Sequence, residues 1–134
     1  MLCLDMSCHY IYTLVMIIRK PDYDLEYCAD NDLEGITSKD IVNVLAQVPG
    51  EADALDWHWI VKLRTGEFAY IWGGCDYSGW GCQDWGDYKK ESTALKAARL
   101  APEKEDSYLD NPANIRQQLI SQLKGKQPYG LRNT

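Results

Sequence analysis

All five tryptophans of this chain lie between Trp57 and Trp85, with two of its five cysteines and five of its ten glycines. Large rings supply most of the burial energy of a small domain, and glycines let the backbone turn where side chains would clash. At 134 residues there is room for one core. That core is expected to be organised around this segment. Within it, Arg64-Thr65-Gly66-Glu67 reads as a tight hairpin turn. A two-residue loop at Thr65-Gly66 would pair Leu63 with Phe68, Val61 with Tyr70 and Trp59 with Trp72, putting only large apolar groups on one face. A three-residue loop would set Leu63 opposite Glu67 and Trp59 opposite Ile71, scrambling both faces. The two-residue register is therefore expected.

Charge is distributed unevenly. Residues 21–56 hold ten acids against the single base Lys39, whereas the stretch from Asn111 onward holds four bases and no acid. An acidic face attracts basic proteins and repels nucleic acid, or else serves only as a solvated surface. The aromatic set is skewed too, with nine Tyr and five Trp against one Phe. Rings with a polar tip suit surfaces that are partly buried and partly in contact with a partner, and equally suit the rim of a small core.

Outside the hairpin, residues 10–18 form an apolar run too short to span a bilayer and rich in β-branched residues, so a buried strand is expected. Thr37 and Asp40 fit a capping box, with Ile36 and Ile41 as its hydrophobic staple. Ile41, Val44, Leu45 and Val48 follow at helical spacing, which predicts a helix stopped by Pro49-Gly50. Lys90 to Ala101 predicts a second helix, ended by Pro102. Asn111-Pro112 predicts a third, with Ile115, Leu119 and Leu123 as its stripe and Gly125 as its close. From Gly73 to Tyr88 no period of 2 or 3.6 fits, so a glycine-shaped loop pinned by rings is expected. Residues 1–15 read as an extension or edge strand, 16–125 as one domain and 126–134 as a fraying tail.

Two chemistries compete for the loop. If strand pairing continues past Gly73, the expected register sets Asp56 opposite Cys75 with His58 diagonal to it, a thiol, a base and an orienting carboxylate. The plainer reading of His58 is a half-exposed residue at a strand end. Alternatively, Asp76, Tyr77, Trp80, Gln83, Asp84, Trp85 and Tyr88 form a rigid binding surface, since such rings lose few rotamers on contact. A structural plug over the sheet end is the bland counterpart of that surface. Cys75 and Cys82 lack the second short-spaced pair of a structural zinc site, and the odd cysteine count disfavours a disulfide framework. No metal or cofactor is expected. There is no phosphate-binding or dinucleotide motif, and no basic patch interleaved with aromatics.

The run Gly73-Gly74-Cys75-Asp76-Tyr77-Ser78-Gly79-Trp80-Gly81-Cys82-Gln83 resembles a G-G-C-D-Y-T-G-W-D-C-Q signature of small uncharacterised proteins of bacteria and their phages. The likeness extends over about residues 37–88. This chain departs at Ser78 and at Gly81, where the signature has an acid. The resemblance implies a bacterial or phage origin and no particular activity.

Together these readings predict an α+β domain: an antiparallel sheet around a central aromatic hairpin, joined by the N-terminal strand, with about three helices packed on it. The expected function is that of a non-enzymatic, cytoplasmic, acidic binding protein with a basic protein partner and no contact with nucleic acid or membrane. Its narrower form is a phage or mobile-element inhibitor of a nucleic-acid-binding defence enzyme. The alternative is a small cysteine enzyme using Cys75, His58 and Asp56.

Overall fold

A computed structural model describes residues 18–51, 55–76, 83–104, 114–126 and 128–130. Helix α1 (Tyr23–Asp32) precedes a four-stranded antiparallel sheet of β1 (Ile41–Val48), β2 (Trp57–Leu63), β3 (Phe68–Asp76) and β4 (Gln83–Glu91), ordered as in the chain. Helices α2 (Ala94–Ala98) and α3 (Ile115–Leu123) follow. The α+β class with about three helices agrees with the sequence expectation, but several of the elements are not where the pattern put them. No helix among the described residues is long and apolar enough to cross a membrane.

The first correction concerns residues 37–48. Thr37 and Asp40 do meet, the Thr37 N–H donating to the Asp40 carboxylate at 2.8 Å, yet they close only a 3₁₀ turn over Ser38–Asp40. The chain then runs as strand β1. Register shifts between Ile41 and Asn43 and between Val44 and Ala46 break the two-residue alternation. Each bulge inserts a residue, so the buried positions fall at 41, 44, 46 and 48, and part of that spacing imitates a helix.

The second correction is the hairpin register. Trp59 pairs with Ile71, Ile60 with Tyr70 and His58 with Trp72. The Gly66 N–H donates to Leu63 O at 2.9 Å, and the Leu63 N–H to Glu67 O at 2.8 Å. Gly66 has φ +93°, so the connection is a three-residue loop with a glycine bulge. The expected register assumed one apolar face. In fact both faces are covered, which removes the penalty for distributing rings between them. Trp59, Val61, Leu63, Ala69 and Ile71 join Leu25, Cys28 and Ala29 of α1 in one cluster. Ile60 and Tyr70 join Ala97 and Ala98 of α2 and Ile115 and Leu119 of α3 in the other.

The described residues of the stretch expected as irregular loop are paired strands. β3 runs to Asp76 and β4 starts at Gln83, with Cys75 paired to Asp84 and Gly73 to Gly86. β4 continues to Glu91, so the second helix is shorter than predicted and begins after Thr93, whose hydroxyl accepts from the Lys96 N–H at 3.1 Å. An exposed edge strand carrying Asp84, Asp87, Lys89 and Lys90 has no apolar alternation to betray it. The third helix starts at Ile115, capped by Asn114. Asn111-Pro112 and the N-terminal run through residue 17 lie outside the described residues. Of the 126–134 segment, Tyr129 packs beside the first core, with the Arg19 guanidinium 4.0 Å over its ring.

Candidate functional site

Helix α1 was missed as an element, and it builds the site. Asp22 accepts from the Leu25 N–H at 3.0 Å to start it, and Leu25, Cys28 and Ala29 face the sheet at helical spacing. Where α1 meets the sheet the strands carry Gly73 and Gly86, paired across the ladder. A Cβ on Gly73 would lie 2.9 Å from the Cys28 sulfur, and one on Gly86 only 2.7 Å away. The missing side chains let the helix sit close.

Beyond this contact the helix and the sheet end enclose a pocket of about 340 Å³. Tyr23, Tyr27, Asp24 and Asp32 line it from α1, Trp57 and Trp59 from β2, Cys75 from β3, and Asp84 and Trp85 from β4. The Trp57 indole N–H donates to the Asp24 carboxylate. Asp84 hydrogen bonds to both the Tyr27 hydroxyl and the Asp32 carboxyl.

Two carboxyl groups in hydrogen-bond contact cannot both hold a full charge at little cost. Burial first, then the bond to Asp84 and its charge, push the Asp32 carboxyl from 3.8 up to about 6. Its position adds to the strain: Asp32 is the last residue of α1, where the helix dipole disfavours an anion. The bond to Asp84, then its charge, raise the Tyr27 phenol as well. Burial pushes the Cys28 thiol up to about 12, with Asp32 and Asp84 adding to the effect. Such a thiol is not a nucleophile at neutral pH.

Among the residues singled out from sequence, Asp84, Trp85 and Cys75 meet at this pocket. Trp85 is 45% exposed, its indole close to Gly74. Asp76 and Gln83 pair with each other where the β3–β4 ladder ends, one step beyond. Tyr88 turns inward and packs, half-buried, against the first core. Tyr77, Trp80 and Cys82 lie outside the described residues. Tyr23, Tyr27, Asp24 and Asp32 were missed as site residues. The available signal was Pro21-Asp22 followed by Leu25, Cys28 and Ala29 at helical spacing.

The constellation of Cys75, His58 and Asp56 is not assembled. Cys75 pairs with Asp84 and lines the pocket under α1. His58 and Asp56 line a different pocket, of about 570 Å³, with Tyr70, Trp72 and Lys89. The register shift of one residue puts His58 opposite Trp72 and separates it from the thiol. Nor is His58 half-exposed. It is 2% exposed, and its Nδ1 lies 2.8 Å from the Tyr70 hydroxyl. Among the described residues, no three His, Cys, Asp or Glu side chains are grouped to hold a metal ion.

The fold and site define an α+β protein with an acidic, ring-lined pocket between one helix and a sheet end. In comparisons with known proteins, no family model, curated protein or solved structure matches the chain.

Proposed function

We propose that the chain is a non-enzymatic binding protein that docks on a basic protein through the outer face of α1 and the rings beside it. The observation that carries this reading is the pairing of exposed rings with acids on one short helix. Tyr23 is 76% exposed and Tyr27 43%, their centroids 6.2 Å apart, one helical turn from each other. Asp24, Glu26, Asp30 and Asp32 share that helix, and it carries no base. Exposed aromatic rings set among charges are what interface anchors use, and the acids would steer a basic surface toward them. The narrower form of the reading is an inhibitor of phage or mobile-element origin. Its acidic helix would occupy the cleft in which a defence enzyme holds nucleic acid.

The test is capture of a basic partner by the immobilised protein at about 0.05 and about 0.5 M salt, across which the screening length falls severalfold. Capture should fall at the higher salt and be lost in Glu26→Lys. A partner that survives high salt unchanged, or binds Glu26→Lys equally well, contradicts the reading.

A further inference from the structure

We infer that the pocket between α1 and the sheet end is a site for a single guanidinium group, the anchor residue of the basic partner being an arginine. This rests on the docking reading above and narrows it to one side-chain chemistry and one cavity. Three features of the pocket choose the ligand.

The first is the carboxyl pair. Asp32 and Asp84 touch at the C-terminal end of α1, where both the neighbouring acid and the helix dipole oppose ionisation. A proton on Asp32 relieves the repulsion. A cation seated against both would relieve it better, and two carboxylates side by side match the forked donors of a guanidinium.

The second feature is the wall. Tyr23, Tyr27 and Trp57 line the same cavity, so a flat cation would find π-faces beside its counter-charges. A guanidinium is weakly hydrated and stacks on such rings, whereas an ammonium is a strongly hydrated point charge. A hard metal ion fits poorly, because among the described residues no three His, Cys, Asp or Glu side chains are grouped so as to hold one.

The third is size. About 340 Å³ lies at the lower end of the range that small-ligand pockets occupy, enough for one side chain and too little for a folded segment. The rim at Tyr23, Tyr27 and Trp85 is exposed, so a side chain can enter from the proposed docking face.

Entry of a cation displaces the Asp32 proton, so binding should be linked to pH. The other titratable groups lining the pocket are Tyr23, Asp24, Tyr27 and Cys28 of α1, and Cys75 of β3; burial and then Asp22 raise the Asp24 carboxyl too. Tyr27 and Cys28 keep their protons well above neutrality. The Asp32 carboxyl, pushed up to about 6, therefore sets the response below neutral pH.

The experiment is NMR titration of the intact protein with N-acetyl-arginine methylamide, its lysine counterpart and the neutral citrulline isostere. The arginine derivative should shift the Trp57 indole and Asp32 resonances. It should bind about tenfold tighter than the lysine derivative, and the citrulline derivative should not bind detectably. Affinity should fall several-fold from pH 7.5 to pH 5. Asp84→Asn should weaken binding by about tenfold while Glu26→Lys, on the outer helix face, leaves it nearly unchanged. Equal binding of citrulline, no binding of arginine, or indifference to Asp84→Asn would overturn the inference. If arginine fails while salt-sensitive capture through Glu26 persists, only the pocket assignment falls; if capture fails while arginine binds, the docking reading falls instead.

Discussion

Gly73 and Gly86 face each other across the β3–β4 ladder, and the Cys28 sulfur fills the hollow left by their missing side chains. This contact holds α1 against the sheet, and so holds the acidic and aromatic residues of the helix over the strand ends that complete the pocket.

Adding a methyl to either glycine should therefore loosen the helix. Gly86→Ala is expected to cost about 1–3 kcal/mol in denaturant unfolding, the range for overpacking a filled site. The Cβ of Gly86 would meet Cys28 Sγ at 2.7 Å, with side-chain atoms of Leu33 and Asp32 next, whereas that of Gly73 would also meet the backbone oxygen of Trp85 at 2.7 Å. A Cys28→Ala background should rescue Gly86→Ala more fully than Gly73→Ala, as a double-mutant cycle would read. Equal rescue, or none, would show that the sulfur is not what fills the notch.

The raised carboxyl of Asp32 has a definite sign in stability. Between its ordinary 3.8 and its folded value of about 6, the folded chain holds a proton that the unfolded chain has lost. This group's contribution thus falls as pH rises through that window, opposite to an ordinary salt-bridged aspartate. Asp32→Asn should gain on the wild type as pH goes from about 4 to about 7 in unfolding titrations. A constant difference between the two proteins would show that Asp32 holds no such proton.

Cys28 and Tyr129 act at the alkaline end. Burial pushes both up to about 12, from ordinary values of 9.0 and 10.0. The folded state keeps these protons where the unfolded state loses them, so stability should decline above pH 9, less steeply in Cys28→Ala. At neutral pH the Cys28 thiol should resist alkylation until the chain unfolds, which mass spectrometry of labelled peptides would show.

Gln122 of α3 predicts a local effect. Its side-chain amide meets the backbone of edge strand β1 twice, accepting from the Gln47 N–H at 2.9 Å and donating to Gln47 O at 2.8 Å. It does there what a neighbouring strand would do. Gln122→Ala should cost about 1–2 kcal/mol and speed amide exchange at Gln47 selectively. Unchanged exchange at that amide would show that water replaces the contact at no cost.

The class of fold was legible because the two strands joined by a turn at Thr65-Gly66 and the helical stripe Ile115, Leu119 persist in the structure. The register was not, since it was inferred from one buried face and the sheet has two. The β1 helix was read from spacing that bulges create. Strand β4 was hidden by its polar edge. Asp84 and Trp85 were singled out because glycines and rings marked their segment, and Cys75 as a thiol of the alternative constellation; all three line the pocket. The other half of the pocket was not singled out: α1 lay in a stretch read only as acidic charge. Its apolar side is three small or medium residues, Leu25, Cys28 and Ala29. A weak stripe of that kind suffices when the opposing strands are glycine.

A basic ligand should touch the molecule at the pocket beneath α1. Amide and indole chemical-shift mapping with a short oligoarginine peptide at low salt would locate it. The prediction is a continuous footprint over Tyr23, Tyr27, Asp84 and the Trp57 and Trp85 indoles, abolished by Glu26→Lys together with Asp84→Asn. A footprint on the α2 and α3 side of the sheet, or shifts scattered over the whole surface, would contradict it.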